Sequence, residues 1–187
     1  MIVYLTGGVG TGKSTVLRMF AELGAITLAA DDIVRELYQD PAVQAQIAIL
    51  LGLDLPLDRQ AIADIVFRDA DARRQLEAVL HPRVAARLRD ERAGAASPII
   101  YEIPLLPTPS SDDLVIAIDA PMQVRLERLA QRGMPRDEAQ RRIAAQPTPL
   151  DYGKDATHII VNDGDAEQLR SRVAAIWKEL QHGSATV

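Results

Sequence analysis

The chain of 187 residues contains no cysteine, and this absence excludes several kinds of chemistry. It rules out a disulfide framework, a thiolate zinc site and a thiol nucleophile, and it fits a reducing cytoplasm, the compartment we expect. No apolar run approaches the ~20 residues of a membrane-spanning helix, so we expect no membrane association. The chain begins with an apolar run rather than with a charged segment preceding one, which predicts no secretory signal.

Excess positive charge is lacking as well. The formal net charge is −5 at pH 7, which argues against nucleic acid as a partner. Hydrophobic residues make up 48% of the chain, enough for a core that needs no disulfides. The length suits one α/β domain with insertions. Any phosphate-binding site in such an acidic protein must concentrate its positive charge locally.

The first fifteen residues carry the strongest motif in the chain. Residues 2–5 form a short apolar run typical of a buried parallel strand, and the sequence GGVGTGKST follows shortly after it. From Gly7 the spacing is a glycine, four residues and then Gly12-Lys13-Ser14, which is that of a phosphate-binding loop. Glycines let the backbone approach an anion closely, and its N–H groups face the phosphates together with the next helix N-terminus. We therefore predict nucleoside triphosphate binding at Gly8, Gly10, Thr11, Gly12, Lys13, Ser14 and Thr15.

Two side chains of this motif have specific roles. Lys13 can reach the terminal phosphates, and the Ser14 hydroxyl can ligate Mg²⁺. We expect Lys13 to face solvent when no nucleotide is bound. The competing interpretation is a glycine-rich turn with a chance lysine. The flanking sequence favours the motif, because a strand pattern precedes it and a helical pattern follows it, with Gly24 where a helix-ending glycine belongs.

The rest of the chain alternates between strand and helix patterns, which indicates a parallel sheet of the α/β class. The predicted strands are residues 2–5, 25–30, 98–103, 114–118 and 158–162. A last helix follows them, and its apolar spacing predicts burial of Leu169, Val173, Ile176, Trp177 and Leu180. Residues 36–93 are almost entirely helical, which predicts a helical insertion. Residues 133–155 are basic and contain prolines around one short helix, which predicts a mobile lid. The predicted nucleotide-binding core then consists of residues 1–35, 94–132 and 156–187.

Polar residues at the carboxyl ends of the strands are candidate site residues, because ligands of a parallel sheet bind there. We expect Asp31 to end the second strand and to face the phosphate loop as a general base. Asp32 would point the other way and cap the following helix. Glu102 ends the third strand, where a Mg²⁺ ligand is expected, although it could also be a turn residue. Weaker candidates for nucleotide contacts are Lys154 and Asn162.

Several short motifs follow one another in a specific order. They are Ala30-Asp31 followed by Arg35, then Leu80-His81-Pro82, then Ile103-Pro104-Leu105-Leu106, and finally Arg132 followed by Arg142-Ile143-Ala144-Ala145-Gln146. Each motif alone is weak. Together with the loop sequence from Leu5 to Thr15, their order and spacing resemble those of the dephospho-CoA kinase family of P-loop kinases. The resemblance extends from Leu5 to about Val173.

This resemblance implies a P-loop NTPase fold with a five-stranded parallel sheet, a helical substrate-binding insertion and a lid. It also implies transfer of the γ-phosphoryl group of ATP to the ribose 3′-hydroxyl of dephospho-CoA, the last step of coenzyme A synthesis, with Mg²⁺ as cofactor. The helical segment would hold dephospho-CoA. Independently of the resemblance, we expect a monomer or a weak homo-oligomer.

The resemblance also implies roles for individual residues. The implied catalytic residues are Asp31, Lys13, Arg132 and Thr6. The implied contacts to dephospho-CoA are Asp31, Arg35, His81, Pro82 and Leu105. The implied metal ligands are Ser14 and Glu102, and the lid would add a nucleotide contact from Arg142.

Plainer interpretations exist for several of these residues. Arg132 could be only the electrostatic partner of the helix that it ends. Arg136 and Arg142 could lie on a solvated helix face. His81, which precedes Pro82, could be a helix-end residue without any contact to substrate.

Three other functions remain open. One is a different small-metabolite or nucleotide kinase on the same scaffold, which the helical segment would decide. Another is a nucleotide-dependent switch protein, which the absence of a guanine-reading Asn-Lys-x-Asp sequence disfavours. The last is an inactive relative that binds CoA-like ligands, which the presence of Lys13, Ser14 and Asp31 disfavours.

Overall fold

The computed structural model describes residues 1–104, 109–110 and 112–183. Four helices lie between the second and third strands and three between the fourth and fifth, whereas the third and fourth strands have no helix between them in the described residues. The elements in chain order are β1 (Ile2–Gly7), α1 (Lys13–Glu22), β2 (Ile26–Ala29), α2 (Ala30–Leu37), α3 (Pro41–Leu51), α4 (Arg59–Arg68), α5 (Ala70–Gly94), β3 (Ile99–Glu102), β4 (Leu114–Asp119), α6 (Met122–Gln131), α7 (Arg136–Ala144), α8 (Pro149–Gly153), β5 (His158–Val161) and α9 (Ala166–Gly183).

The chain forms two compact units. The first consists of Met1–Ala29 and, in its described residues, Ala95–Val187, and it contains strands β1 to β5. The second is Ala30–Gly94 and contains helices α2 to α5. Among the described helices, none combines the length and the apolar character that a membrane span requires.

The sheet of the first unit has the strand order β2-β3-β1-β4-β5, and each pair of neighbours is parallel. The predicted five-stranded parallel sheet is therefore confirmed. The register pairs Leu5 with Glu102, and Gly7 with Ile118. Because β1 is central, the loop that follows it leaves the sheet between the carboxyl ends of β3 and β4.

Helices α1 and α9 supply most of the apolar side chains that cover one face of this sheet. The predicted apolar stripe of the last helix is buried in full, at Leu169, Val173, Ile176, Trp177 and Leu180. The Trp177 indole N–H donates to the Leu23 carbonyl at 3.1 Å, and its ring meets Phe20 edge-on with centroids 6.2 Å apart. Burial of each large side chain contributes about 1.5–3 kcal/mol, so this packing supports the strand ends that form the site.

The second unit is a helical assembly whose helices begin at local signals in the sequence. Asp40 accepts a hydrogen bond from the Ala42 N–H, Asp58 from the Gln60 N–H, and Asp69 from the Asp71 and Ala72 N–H groups. Each aspartate satisfies a donor that the first helical turn leaves unpaired. The core of the unit consists of Val43, Ile47, Ile62, Leu76, Val79 and Leu80.

Helix α5 continues without a break through Pro82. Proline lacks an N–H and its ring disturbs the preceding turn, so carbonyls near it lose hydrogen bonds. The Arg83 side chain adds a hydrogen bond in the turn before this proline, because one guanidinium nitrogen donates to the Val79 carbonyl at 2.6 Å. The other donates to Gln46 of α3 at 2.8 Å. Because α5 continues past Pro82 to Gly94, the interpretation of His81 as a helix-end residue is wrong.

The junction between β2 and α2 differs from the sequence-based expectation. The strand ends at Ala29 and the helix begins at Ala30, so Asp31 and Asp32 are helical rather than extended. Side chains of consecutive helical residues diverge by about 100° and do not alternate between opposite faces. Asp32 pairs with Arg35 at 2.5 Å instead of serving as the helix cap.

The basic segment 133–155 contains two helices rather than the single short one expected. Helix α7 packs against α6, where Ala139 and Ile143 are buried with Leu126 and Leu129. Helix α8 begins with a capping box formed by Thr148 and Asp151. Pro135 directly precedes α7, and Pro149 is the first residue of α8. Proline is favoured at helix starts, which is why a segment with a loop-like composition contains an extra helical turn.

Candidate functional site

The loop between β1 and α1 has a backbone that only glycine accommodates at two positions. Gly12 has a φ of 99°, and a Cβ there would lie 2.2 Å from the Asn162 side-chain nitrogen. Gly7 has a φ of 145°, and a Cβ there would lie 2.3 Å from the Ile118 carbonyl oxygen. Both conditions exclude L side chains, so these glycines allow the loop to lie directly against β4 and β5. Helix α1 follows with no acidic residue in its first turn, which leaves its N-terminus suited to an anion.

Lys13 folds back over this loop. Its ammonium donates to the Gly7 carbonyl at 2.9 Å and to the Gly8 carbonyl at 3.3 Å. The residue is half-buried, so the expectation of a solvent-facing lysine is wrong. The ammonium charge nevertheless stays at the turn of the loop. Hydrogen bonds to the two backbone carbonyls offset part of the free-energy cost of removing the ammonium from water.

Ser14 and Glu102 come together from different elements. The Ser14 hydroxyl, at the start of α1, donates to the Glu102 carboxylate at the end of β3 over 3.3 Å. Hydroxyl and carboxylate oxygens are the hard ligands that Mg²⁺ prefers, so this pair fits the group that the sequence predicts. Among the residues that the structure describes, no cluster of three or more His, Cys, Asp or Glu side chains offers an alternative metal site.

The outer side of the loop is held by side chains from three other segments. Arg125 Nε donates to the Val9 carbonyl at 2.8 Å, and Gln146 Oε1 accepts from the Val9 N–H at 2.7 Å. Arg128 donates to the Thr11 carbonyl at 3.2 Å, and Asn162 donates to the same oxygen at 2.8 Å. Consecutive parts of the loop are thus fixed by residues far away in the sequence.

Arg125 and Arg128 were not predicted from the sequence. Their spacing places them one helical turn apart on one face of α6, the helix that follows β4, and that spacing was the available signal. Asn162 was expected to contact the nucleotide, yet both ends of its amide are engaged, with Thr11 and with Arg128 at 2.8 Å. Asn162 therefore supports the loop, and its predicted contact with the nucleotide stays a prediction.

Burial lowers the pKa of Arg125 below its ordinary value, and the Asp119 carboxylate and Tyr152 oppose that shift. Burial also lowers the pKa of Arg128, and the neighbouring positive charge of Arg132 acts in the same direction. Arginine loses its proton only far above neutral pH, so both guanidinium groups remain charged. Positive charge is therefore concentrated behind the loop of an otherwise acidic protein.

A cavity of about 250 Å³ lies beside the loop in the first unit. Four predicted residues line it: Gly12, Thr15 from α1, Asn162, and Arg132 at the C-cap of α6. Its other lining residues are Met19, Arg128, Gln131, Gly164, Ala166 and Leu169. A mixed apolar and polar cavity next to a phosphate loop is suited to the nucleoside part of a nucleotide.

Other predicted residues of the first unit lie elsewhere. Thr6 is fully buried within β1, and Arg142 pairs with Glu138 at 2.6 Å on the exposed surface of α7. Arg136 and Lys154 are exposed. The predicted roles of these four residues stay predictions.

The predicted residues of the second unit are exposed. Asp31 and Arg35 lie on α2, and His81 and Pro82 lie on α5, which packs against α2. The Asp31 carboxylate and the His81 imidazole are therefore accessible to a ligand without local unfolding of their helices. The remaining predicted substrate contact, Leu105, lies outside the described residues.

Comparison with known proteins gives consistent matches over most of the chain. The family model described as CoaE, dephospho-CoA kinase, matches residues 1–168. The dephospho-CoA kinase of Thermobifida fusca is 38% identical over 191 residues, which is 96% of this chain and 96% of the relative. The relative from Moorella thermoacetica, also named dephospho-CoA kinase, is 40% identical over 195 residues, covering 96% of this chain and 92% of the relative.

A solved structure gives the same result at the level of the fold. A protein from Thermus thermophilus superposes with a TM-score of 0.83 at 30% identity, covering 96% of this chain and 97% of the other. The dephospho-CoA kinase of Campylobacter jejuni superposes with a TM-score of 0.68 at 24% identity, covering 97% of this chain and 98% of the other, so the fold is that of P-loop kinases. The family match, the relatives' identity and the loop geometry agree, and the chain therefore belongs to the dephospho-CoA kinase family.

Proposed function

We propose that this chain transfers the γ-phosphoryl group of ATP to the ribose 3′-hydroxyl of dephospho-CoA. The observation that carries the proposal is the family match over residues 1–168, whose phosphate loop is complete in this chain. A bond forms between the 3′-oxygen and the γ-phosphorus. The bond between that phosphorus and the β–γ bridging oxygen breaks. The products are coenzyme A, ADP and the proton of the hydroxyl group.

On the donor side, the loop and Lys13 hold the phosphates of ATP. Phosphoryl transfer needs positioning and charge stabilisation more than covalent chemistry, because negative charge spreads over the oxygens of the transferring group. The Lys13 ammonium is already at the loop, where it donates to the Gly7 and Gly8 carbonyls. Nucleotide phosphates offer it stronger, charged acceptors, so we expect the ammonium to exchange carbonyls for phosphate oxygens.

The Ser14 hydroxyl and the Glu102 carboxylate would hold Mg²⁺. Their approach to 3.3 Å places two suitable oxygens at the junction of α1 and β3. When bound, Mg²⁺ neutralises charge on the β- and γ-phosphate oxygens.

On the acceptor side, Asp31 would take the proton of the 3′-hydroxyl. Its carboxylate is exposed in the first turn of α2, where it is accessible to a ligand. The helical unit would bind the remainder of dephospho-CoA through Arg35, His81 and Pro82, and Leu105, which lies outside that unit, would add a further contact. Breaking the Arg35–Asp32 pair frees a guanidinium for the substrate at little cost, because exposed ion pairs contribute about 0–1 kcal/mol.

Arg132 and the segment 133–155 would complete the donor site. Arg132 lines the cavity beside the loop, so its guanidinium is near the region where a nucleotide binds. Thr6 and Arg142 are also proposed to contribute to the donor site, and for these two residues the family resemblance is the sole support. We also propose that the protein works in the cytoplasm. We further propose that it is a monomer or a weak homo-oligomer, and light scattering on the purified chain would test this oligomeric state.

Release of ADP with different acceptors tests the proposal. The purified chain is incubated with ATP, Mg²⁺ and dephospho-CoA, AMP, pantetheine, shikimate or water alone. We expect rapid ADP release with dephospho-CoA only, and a product one phosphoryl group heavier that an enzyme requiring the 3′-phosphate of coenzyme A accepts. Faster turnover of another acceptor would reassign the substrate. ADP release that is independent of any acceptor would instead indicate an ATPase.

A further inference from the structure

Arg125 is a buried cation that the proposed chemistry does not use. It is 5% exposed although arginine is normally a surface residue. Its Nε donates to the Val9 carbonyl at 2.8 Å, across 116 positions of sequence. Burial of a charged side chain is costly unless hydrogen bonds and nearby opposite charge compensate it. Arg125 has both, because the Asp119 carboxylate lies close enough to act on it.

The bond to Val9 fixes more than one atom of the loop. A peptide group is planar and trans, so its C=O and the N–H of the next residue point in opposite directions. When Arg125 holds the Val9 carbonyl on the α6 side, the Gly10 N–H must point to the opposite side. Asn162 acts in the same way at Thr11, whose carbonyl it holds at 2.8 Å, and so directs the Gly12 N–H.

The loop would not keep this arrangement unaided. Gly10 has a φ of 78°, which lies in the left-handed region that glycine enters and leaves easily. A glycine-rich segment therefore rotates its peptide groups at low cost. Arg125 lies directly against this segment, because a Cβ built at Gly8 would lie 2.5 Å from its Nη2 atom and one built at Gly10 would lie 3.2 Å from its Cβ.

We propose that Arg125 is a positioning residue for phosphoryl transfer, which acts by holding the Val9 carbonyl so that the Gly10 N–H faces the phosphates. The proposal rests on the proposed function only in that the loop binds a nucleotide. Arg125 itself contacts the loop backbone and not the reacting atoms. The effect of Arg125 on turnover comes from its hydrogen bond to the Val9 carbonyl. A positive charge at the same place without this bond does not replace Arg125.

Three variants separate these contributions. Arg125→Met removes the donor and the charge but keeps most of the volume. Arg125→Lys keeps the charge but places a methylene group where Nε stands, so the bond to Val9 is lost. Arg170→Met is the matched control, since Arg170 is exposed on α9. For each variant, we would measure Tm, the Kd of ADP by calorimetry without metal, and kcat and KM for both substrates.

We expect Arg125→Met to lower kcat about 10²-fold, because misdirecting one N–H removes one donor to the developing charge. The affinity for ADP should fall as well, whereas the KM for dephospho-CoA should stay unchanged. Arg125→Lys should resemble Arg125→Met in kcat. Arg170→Met should behave as the wild type in every measurement.

A chemical rescue provides an independent readout. Two cavities adjoin Arg125, and both are lined by Asp119, Pro147 and Pro149, so a small cation can enter the space left by Arg125→Ala. Ethylguanidinium should restore kcat in this variant, and ethylammonium at the same concentration should not. Restoration by both cations would show that charge suffices and would overturn the proposal.

Other results would also overturn it. Wild-type kcat and ADP affinity in folded Arg125→Met, with only Tm lowered, would show a purely structural residue. Wild-type kcat in Arg125→Lys would assign the effect to charge. If neither variant folds, Arg125 stabilises the fold and not the loop orientation. The ADP measurement needs no acceptor, so it distinguishes failure of this proposal from a wrong substrate assignment.

Discussion

The phosphate loop and the helical unit obtain their order in different ways. Loop carbonyls at Val9 and Thr11 accept hydrogen bonds from Arg125, Arg128 and Asn162, which lie more than a hundred positions away in the sequence. Helices α3 to α5 begin at aspartates that pair with N–H groups two or three residues further on, and they pack through an apolar cluster.

This difference reflects what each region must do with its backbone. The loop must leave N–H groups available for an anion, so it cannot satisfy all of them within itself, and distant side chains hold its Val9 and Thr11 carbonyls. A helix satisfies its own N–H groups except in the first turn, where a nearby capping side chain accepts from one or two of them. Substitutions should therefore affect catalysis in the loop and stability in the helical unit.

The largest expected effect is that of Lys13→Ala on turnover. Loss of the cation should raise the barrier to phosphoryl transfer by about 3–4 kcal/mol, the scale of other charge-stabilising contacts. Stability should fall by only about 1 kcal/mol, through the lost bonds to Gly7 and Gly8. Steady-state kinetics and urea unfolding would measure the two effects, with exposed Lys178→Ala as the control. Near-normal kcat in a folded Lys13→Ala protein would refute the assignment of the loop.

Asp31→Asn should lower kcat about 10²–10⁴-fold, because asparagine cannot accept the proton of the 3′-hydroxyl. Asp32→Asn is the adjacent control. It removes only an exposed pair with Arg35, so stability should change by about 0–1 kcal/mol and most activity should remain. Kinetics of both variants at saturating ATP would decide between them. A folded but inactive Asp32 variant beside an active Asp31 variant would assign the base to Asp32.

Two isoleucines on one helix test the helical unit. Ile47 is fully buried and Ile49 is 85% exposed, both on α3. Ile47→Ala should lower the free energy of unfolding by about 2–5 kcal/mol through lost burial and a cavity. Ile49→Ala should change it by less than about 0.5 kcal/mol. Urea denaturation would measure both, and equal effects would contradict the core assignment.

The smallest expected effect depends on pH and concerns the start of α8. The Thr148 hydroxyl and backbone N–H, both 2.7 Å from the Asp151 carboxylate, lower the pKa of Asp151. A lowered carboxyl pKa stabilises the fold above the unfolded-state pKa, and this contribution is lost as the pH falls through the folded-state pKa. Asp151→Asn should therefore lower Tm at neutral pH and match the wild type in acid. A Tm difference that persists unchanged into acid would contradict the capping box as its cause.

The sequence predicted the fold well where the signals are local. The buried stripe of α9 followed from apolar spacing, and the order of strands and helices followed from the change in period along the chain. Element boundaries were less certain at the β2–α2 junction, where a run of small residues is compatible with either structure. Helix α2 begins one residue before Asp31, so the alternation expected of Asp31 and Asp32 was wrong.

The residues of the phosphate loop, with their glycines, Lys13 and Ser14, were determined by the sequence itself, because each role depends on residue type at a fixed spacing within one short segment. The hydrogen bonds that fix the Val9 and Thr11 carbonyls of that loop were decided only by the tertiary structure. Arg125 and Arg128 look like ordinary surface arginines of an amphipathic helix until α6 packs beside the loop. A peptide group between glycines has no strong preference of its own, so its orientation comes from the distant side chains that folding brings to its carbonyl.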